Sequence, residues 1–155
     1  MERRLWILAV AVVMMCSCER EKNILCFEYH SVPVDGWEQH YVQSYHVDTA
    51  CMDGEYDLSV GLRTTNTYPF QSLWLLVRRQ LVNPDTVAVD TLVCTLSDRQ
   101  GNELGNGLSL YQHLFHVKDM HLQRGQSATI TVSHIMRRSI LSGISDVGVL
   151  VKRKE

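Results

Sequence analysis

The chain of 155 residues carries 15 Lys and Arg against 17 Asp and Glu, a formal net charge of −2. That near balance offers no clustered basic surface of the kind nucleic-acid binding rests on. The length suits one domain with a substantial core, for which a disulfide framework is not required.

The first element in chain order is an address. Arg3 and Arg4 precede an eleven-residue apolar run, residues 5–15, followed by Cys16-Ser17-Cys18. A positive start, a short apolar stretch and small residues before a cut describe a secretory signal. The run is too short to span a hydrocarbon core of about 30 Å, which takes about 20 helical residues. Met15-Cys16-Ser17-Cys18 has the form of a bacterial lipobox, in which the cysteine after the cut becomes the lipidated first residue. Cys16 is the competing acceptor, but bulky Met15 would then stand directly before the cut. An ordinary secretory signal with two incidental cysteines is the other reading. The expected division is therefore a lipoprotein signal peptide over residues 1–17, lipidation at Cys18, a charged tether over 18–24 and a folded domain over 25–155. Acyl chains contribute ~0.8 kcal/mol per buried methylene, so several on one cysteine anchor a protein firmly.

Beyond the tether, period-two segments recur between turn signals. Residues 40–47 set Tyr41, Gln43, Tyr45 and Val47 against His40, Val42, Ser44 and His46. Residues 56–64 place Tyr56, Leu58, Val60 and Leu62 on one face. Residues 72–82 (SLWLLVRRQLV) are almost continuously apolar and predict a central strand covered on both faces, with Trp74 in the core. Residues 86–96, 127–134 and 146–152 complete the strands. Asp35-Gly36, Asp53-Gly54, Asn83-Pro84-Asp85, residues 98–102, Gly105-Asn106-Gly107 and Arg124-Gly125 favour turns. Residues 108–117 (LSLYQHLFHV) are the one helical candidate and are read as a short turn or irregular strand across one end. The pattern predicts an all-β, antiparallel β-sandwich or jelly-roll domain. For Cys26, Cys51 and Cys94, one bridge with a leftover thiol and three reduced cysteines both stay open.

Several blocks occur in a familiar order: Gly36-Trp37; Tyr56-Asp57-Leu58 with Gly61-Leu62-Arg63; and Tyr68-Pro69-Phe70-Gln71-Ser72-Leu73-Trp74-Leu75. Pro84-Asp85-Thr86, residues 101–107, Met136-Arg137 and residues 143–148 follow. In these, and in the lipobox-like cysteine, the chain resembles the GldH-like gliding-motility lipoproteins of Bacteroidetes. The resemblance implies a membrane-anchored cell-envelope lipoprotein, with the outer membrane favoured, linked to gliding and associated protein secretion. It implies no catalysis.

The residues themselves offer little chemistry. His40 and His46 share a strand face but lie roughly 20 Å apart at ~3.3 Å per residue. His113, His116 and His121 lack the spacing of a helix or Cys-x2-Cys metal site. Solvated surface histidines, no metal and no cofactor are expected. No Gly-x-Ser-x-Gly elbow is present, since Ser109 follows Gly107 but precedes Leu110 and Tyr111. Cys51 with His46 and Asp53 can be drawn as a nucleophile and base, but a cysteine near a turn is more commonly filler. Gly101, Gly105 and Gly107 do not open a helix, so no phosphate loop is formed.

The aromatics are the better candidates. Tyr68 and Phe70 flank Pro69 in a loop before the strand of Trp74, and Trp37 follows a turn; loops carry function more often than strands. Tyr68, Phe70 and Trp37 are therefore the expected contact residues for a partner or ligand. The leading expectation is a non-enzymatic, lipid-anchored module that docks on other envelope proteins. The alternative is a lipid-anchored module binding glycan or another small ligand on a jelly-roll face. Nucleic acid is not an expected partner. Cys18→Ala should abolish palmitate labelling and loosen the protein from the membrane fraction, whereas Cys16→Ala should change little. Labelling that survives in the Cys18 variant would place the acceptor elsewhere.

Overall fold

A computed structural model describes residues 23–154; the signal peptide, Cys18 and most of the tether lie outside the described residues. Ten strands follow in chain order: β1 Ile24–Ser31, β2 Trp37–Glu38, β3 Gln43–Val47, β4 Gly54–Thr65, β5 Ser72–Val82, β6 Thr86–Thr95, β7 Leu110–Leu122, β8 Ser127–His134, β9 Ile140–Leu141 and β10 Ile144–Arg153. Among the described residues there is no helix, and so none long and apolar enough to cross a membrane. One sheet has the order β1-β10-β4-β7 and the other β3-β8-β5-β6, with β2 and β9 forming a separate pair. All the pairings are antiparallel.

The alternation dictates the packing. Tyr56, Leu58, Val60 and Leu62 of β4 and Val147, Val149 and Val151 of β10 are buried, and they share the interior with Leu73, Leu75 and Val77 of β5 and Ile130 and Val132 of β8. Burying an aliphatic side chain contributes about 1.5–3 kcal/mol, so this interior supplies most of the driving force. Tyr45 of β3 crosses it, donating its hydroxyl to the Val147 carbonyl at 2.6 Å and stacking on His30 of β1 at 4.5 Å.

Three expectations need correction. β5 is central by hydrogen bonding, between β8 and β6, but it is covered on one face only. Leu73, Leu75 and Val77 fill the inner face, which forces Trp74 outward, where it is 47% exposed. Residues 108–117 are neither a turn nor an end-crossing segment; from Leu110 they open the thirteen-residue β7, paired along β4. β1, absent from the sequence pattern, starts at Ile24, the last residue of the expected tether. The cysteines are free: Cys26 and Cys94 are buried and Cys51 is exposed. Burial pushes the Cys26 thiol up to about 11 and the Cys94 thiol up to about 12, so both are inert.

One side chain fills a slot in the outer face of the first sheet. Tyr29 of β1 lies opposite Gly148 of β10, which lies opposite Gly61 of β4. The phenol ring lies flat across both glycines, where a Cβ at Gly148 would come within 2.6 Å of it. Arg63 covers the ring at 4.3 Å, and Phe27 meets it edge-on at 5.9 Å. Overpacking of this kind costs about 1–3 kcal/mol. Gly61→Ala should therefore destabilise the protein by about that amount in denaturant titrations, and by much less in a Tyr29→Ala background. Equal costs in both backgrounds would show that the ring does not occupy the glycine slot.

Candidate functional site

The structure withdraws Trp37 as a surface contact. The Asp35-Gly36 turn forms, with Gly36 at φ +116° and its N–H donating to the Pro33 carbonyl at 2.9 Å. It turns the next residue inward, and Trp37 is fully buried. Its Nε1 donates to the Tyr41 carbonyl at 2.7 Å, and its ring meets His134 edge-on at 5.3 Å. His134 Nε2 donates to the Trp37 carbonyl at 3.1 Å, and burial holds the His134 pKa below its ordinary value.

Tyr68 is a support beneath the surface. It lies in the β4–β5 loop, 8% exposed, with its hydroxyl donating to the Ser72 carbonyl at 3.1 Å and its N–H to the Thr65 carbonyl at 3.1 Å. Burial pushes its phenol pKa well above the usual value. Gly143, at φ +83°, lets its strand connection press against the Tyr68 backbone. The Tyr68 ring in turn holds Phe70 edge-on at 5.7 Å.

Phe70 and the outward Trp74 then make the floor of a groove of ≈ 580 Å³. Its walls are Ile135, Met136, Arg137 and Arg138, the segment that follows β8. The segment is fastened to Trp74 from both sides of its peptide unit. The Ile135 N–H donates to the Trp74 carbonyl at 3.0 Å, and the Trp74 N–H points at Met136 Sδ at 3.5 Å. Arg138 lies 5.6 Å over the Phe70 ring. Neither Arg137 nor Arg138 is in an ion pair among the described residues, and both are exposed. From Trp74 an apolar stripe runs along the outer face through Val93, Val89 and Val87 of β6. Met136-Arg137 stood out in the sequence only as part of the family resemblance; long-range pairing makes it a groove wall.

Two polar clusters elsewhere were not visible in the sequence. Asp57, His116 and Asp119 come together through the β4–β7 pairing, with ligand atoms within 4.8 Å of one another. His116 Nδ1 bonds Asp57, and its Nε2 faces Asp119 at 3.9 Å. Lys154 Nζ donates to Asp119 at 2.6 Å, and that hydrogen bond holds the Asp119 carboxyl below its ordinary range. Lys154 thus already pairs with the second of the two carboxylates, so these residues form a charge network with a cation of its own rather than an open chelate. Ser59 donates to Asp57 at 2.7 Å rather than to His116, so the histidine is not placed as its base. The second cluster pairs Thr64 with His113 Nε2 at 3.1 Å, both buried. His113 and His134 thus depart from the expected solvated histidines. Cys51 Sγ lies nearest the Thr49 carbonyl, at 4.0 Å.

A family model described as GldH lipoprotein matches residues 25–151. The gliding motility lipoprotein GldH of Flavobacterium johnsoniae is 27% identical over 158 residues, which cover 96% of this chain and 96% of that protein. Among solved structures, Eiger TNF from S. frugiperda aligns with a TM-score of 0.39 and 13% identity, over 86% of this chain and 94% of that one. A family 35 carbohydrate-binding module of Cellvibrio japonicus gives 0.39 and 10% identity, over 88% and 94% respectively. One from Clostridium thermocellum gives 0.37 and 11%, over 82% and 90%. At TM-scores below 0.5, nothing about the ligands or partners of those proteins carries over.

The two tryptophans of the described chain should behave oppositely. Trp37→Ala should cost about 3–5 kcal/mol of stability, the usual cost of truncating a buried large aromatic. Trp74→Ala should cost about 1 kcal/mol or less, since its outer face has no cover. Denaturant melts of both variants check this, and a large loss at Trp74 would mean that the groove floor is part of the core.

Proposed function

The chain belongs to the GldH lipoprotein family, and on that footing we propose that it is a non-enzymatic, lipid-anchored component of the gliding-motility apparatus of the cell envelope. It docks on other envelope proteins through the Phe70–Trp74 groove, with Cys18 as the lipidated residue and the outer membrane as its site. One observation carries the docking reading: exposed Trp74 and two arginines without an ion pair among the described residues meet at the pole of the domain opposite the anchor.

Its support is geometric. The described chain begins at Asn23, whose carbonyl accepts the Arg153 N–H at 2.7 Å. The starts of β1 and β4 and the ends of β5 and β10 share this pole, and the β7–β8 loop joins them through the Gly125 N–H on the Ala50 carbonyl at 2.8 Å. Five residue steps separate Cys18 from Asn23, a reach of at most about 18 Å. That pole therefore stays close to the lipid. Trp74 stands eight residues from Val82 along β5, roughly 26 Å at ~3.3 Å per residue. The groove faces the space where partners are found. Trp, Phe, Met and Arg are also the side chains most enriched at protein interfaces.

Phe70 also packs against the core, so the test uses the outward ring: in the native bacterium, Trp74→Ala should leave abundance and membrane retention unchanged. The same variant should lower partner recovery after mild cross-linking about tenfold and reduce colony spreading. Normal recovery and normal spreading together would overturn docking at this groove.

A further inference from the structure

We propose, building on that docking role, that the groove takes a segment of a partner protein in which an apolar side chain is flanked by carboxylates. The apolar side chain packs on Phe70 and Trp74, and Arg137 and Arg138 pair with the carboxylates.

Charge carries the argument. Arg79 has Asp90 at 2.6 Å, and Lys154 has Asp119 at 2.6 Å. Arg63 has Asp146 within 4.0 Å. Arg78, Arg99, Arg124 and Arg153 also have no ion pair among the described residues, but only Arg137 and Arg138 are consecutive, exposed and set in the groove beside the Trp74 ring. Arg138 lies 5.6 Å over the Phe70 ring, a contact that favours this placement of its guanidinium beside the groove. A planar guanidinium pairs bidentately with a carboxylate, and the bond strengthens as the neighbouring apolar contact excludes water.

Other occupants fit less well. A neutral sugar would stack on a ring face and call for side-chain acceptors as well as donors around it, yet the lining offers only the arginine donors beside the aliphatic and thioether wall of Ile135 and Met136. The chain's own acidic tether cannot reach: Glu19 and Glu21 precede Asn23, at the opposite pole. A chain of four residues spans at most about 14 Å, against the roughly 26 Å of strand that separates the poles. The same distance keeps the groove away from the lipid that holds Cys18.

The test places a benzophenone-bearing amino acid at position 135 of the full lipidated chain, in the native bacterium, and identifies the photo-adduct by peptide mass spectrometry. The expected adduct is a different protein, joined within a segment holding at least two Asp or Glu within about four residues of an apolar side chain. Arg137→Glu with Arg138→Glu should reduce the adduct about tenfold or more, without changing the melting temperature. Replacing the partner's carboxylates with Lys should restore it in that background. A protein segment without carboxylates, or a yield indifferent to charge reversal, overturns this inference and leaves docking standing. A glycan, lipid or second-copy adduct overturns the inference as well, and no adduct at all overturns the docking role itself.

Discussion

Two sheets enclose one interior, and a strand can offer that interior only every second side chain. This constraint decides where the chemistry of the molecule lies. In β5 the interior is filled by Leu73, Leu75 and Val77, all fully buried. The residues between them, Trp74, Leu76 and Arg78, must face outward whatever their character. A tryptophan placed there cannot be hidden by moving it, because a one-residue slip would carry three core side chains into water. At about 1.5–3 kcal/mol each, that slip would cost more than any cover for Trp74 could return. The exposed ring is thus enforced by the core it neighbours, and the segment after β8 fastens to its peptide unit to make a groove of it.

The strands with clean alternation were legible from the residues alone. In β3, Gln43, Tyr45 and Val47 are buried while Ser44 and His46 are exposed, and β4 buries Tyr56, Leu58, Val60 and Leu62. The failures have local causes. β7 carries apolar side chains on both faces, with Leu110 and Leu114 outside and Phe115 against the core, and its register shifts opposite Leu58 and Ser59. Leu110, Leu114 and Val117 stand four and three positions apart, so the stretch reads as a helix. β1 was hidden because Phe27 and Tyr29 point to the outer face, where polar residues are the usual signal. Trp74 was misplaced because a continuous apolar run suggests cover on both faces, whereas in this strand the second face is simply left apolar.

The candidate site was legible in a different way. Tyr68 and Phe70 were marked by the proline between them, and the structure divides their roles between support and surface. Trp37 was marked by its turn, and the turn is present. What one sequence position cannot show is the direction in which the chain leaves a turn. That direction is set by pairing with Leu141, more than a hundred positions away, and by the buried contact with His134. The groove wall of Ile135, Met136 and Arg138 depends equally on long-range registry, in this case between β8 and β5. Local chemistry names candidates; only registry assembles them.

The two outer faces of the sandwich differ in how their polar groups are used. On the first sheet, Tyr29 fills the slot over Gly61 and Gly148, Arg63 lies on Tyr29, and Asp57, His116, Asp119 and Lys154 are linked in one charge network. A partner binding there would have to break existing ion pairs before making new ones, and would gain little net. On the second sheet, Trp74, Val93, Val89 and Val87 are exposed along one face with Thr91 among them, and Arg137 and Arg138 beside Trp74 have no carboxylate partner among the described residues. Hydration is then the only thing a partner displaces, and displacing it from apolar surface is favourable. Apolar side chains stay exposed on both outer faces, Phe27, Leu110 and Leu114 on the first sheet and Trp74, Val93, Val89 and Val87 on the second. The second face has its one tryptophan at the pole farthest from the start of β1.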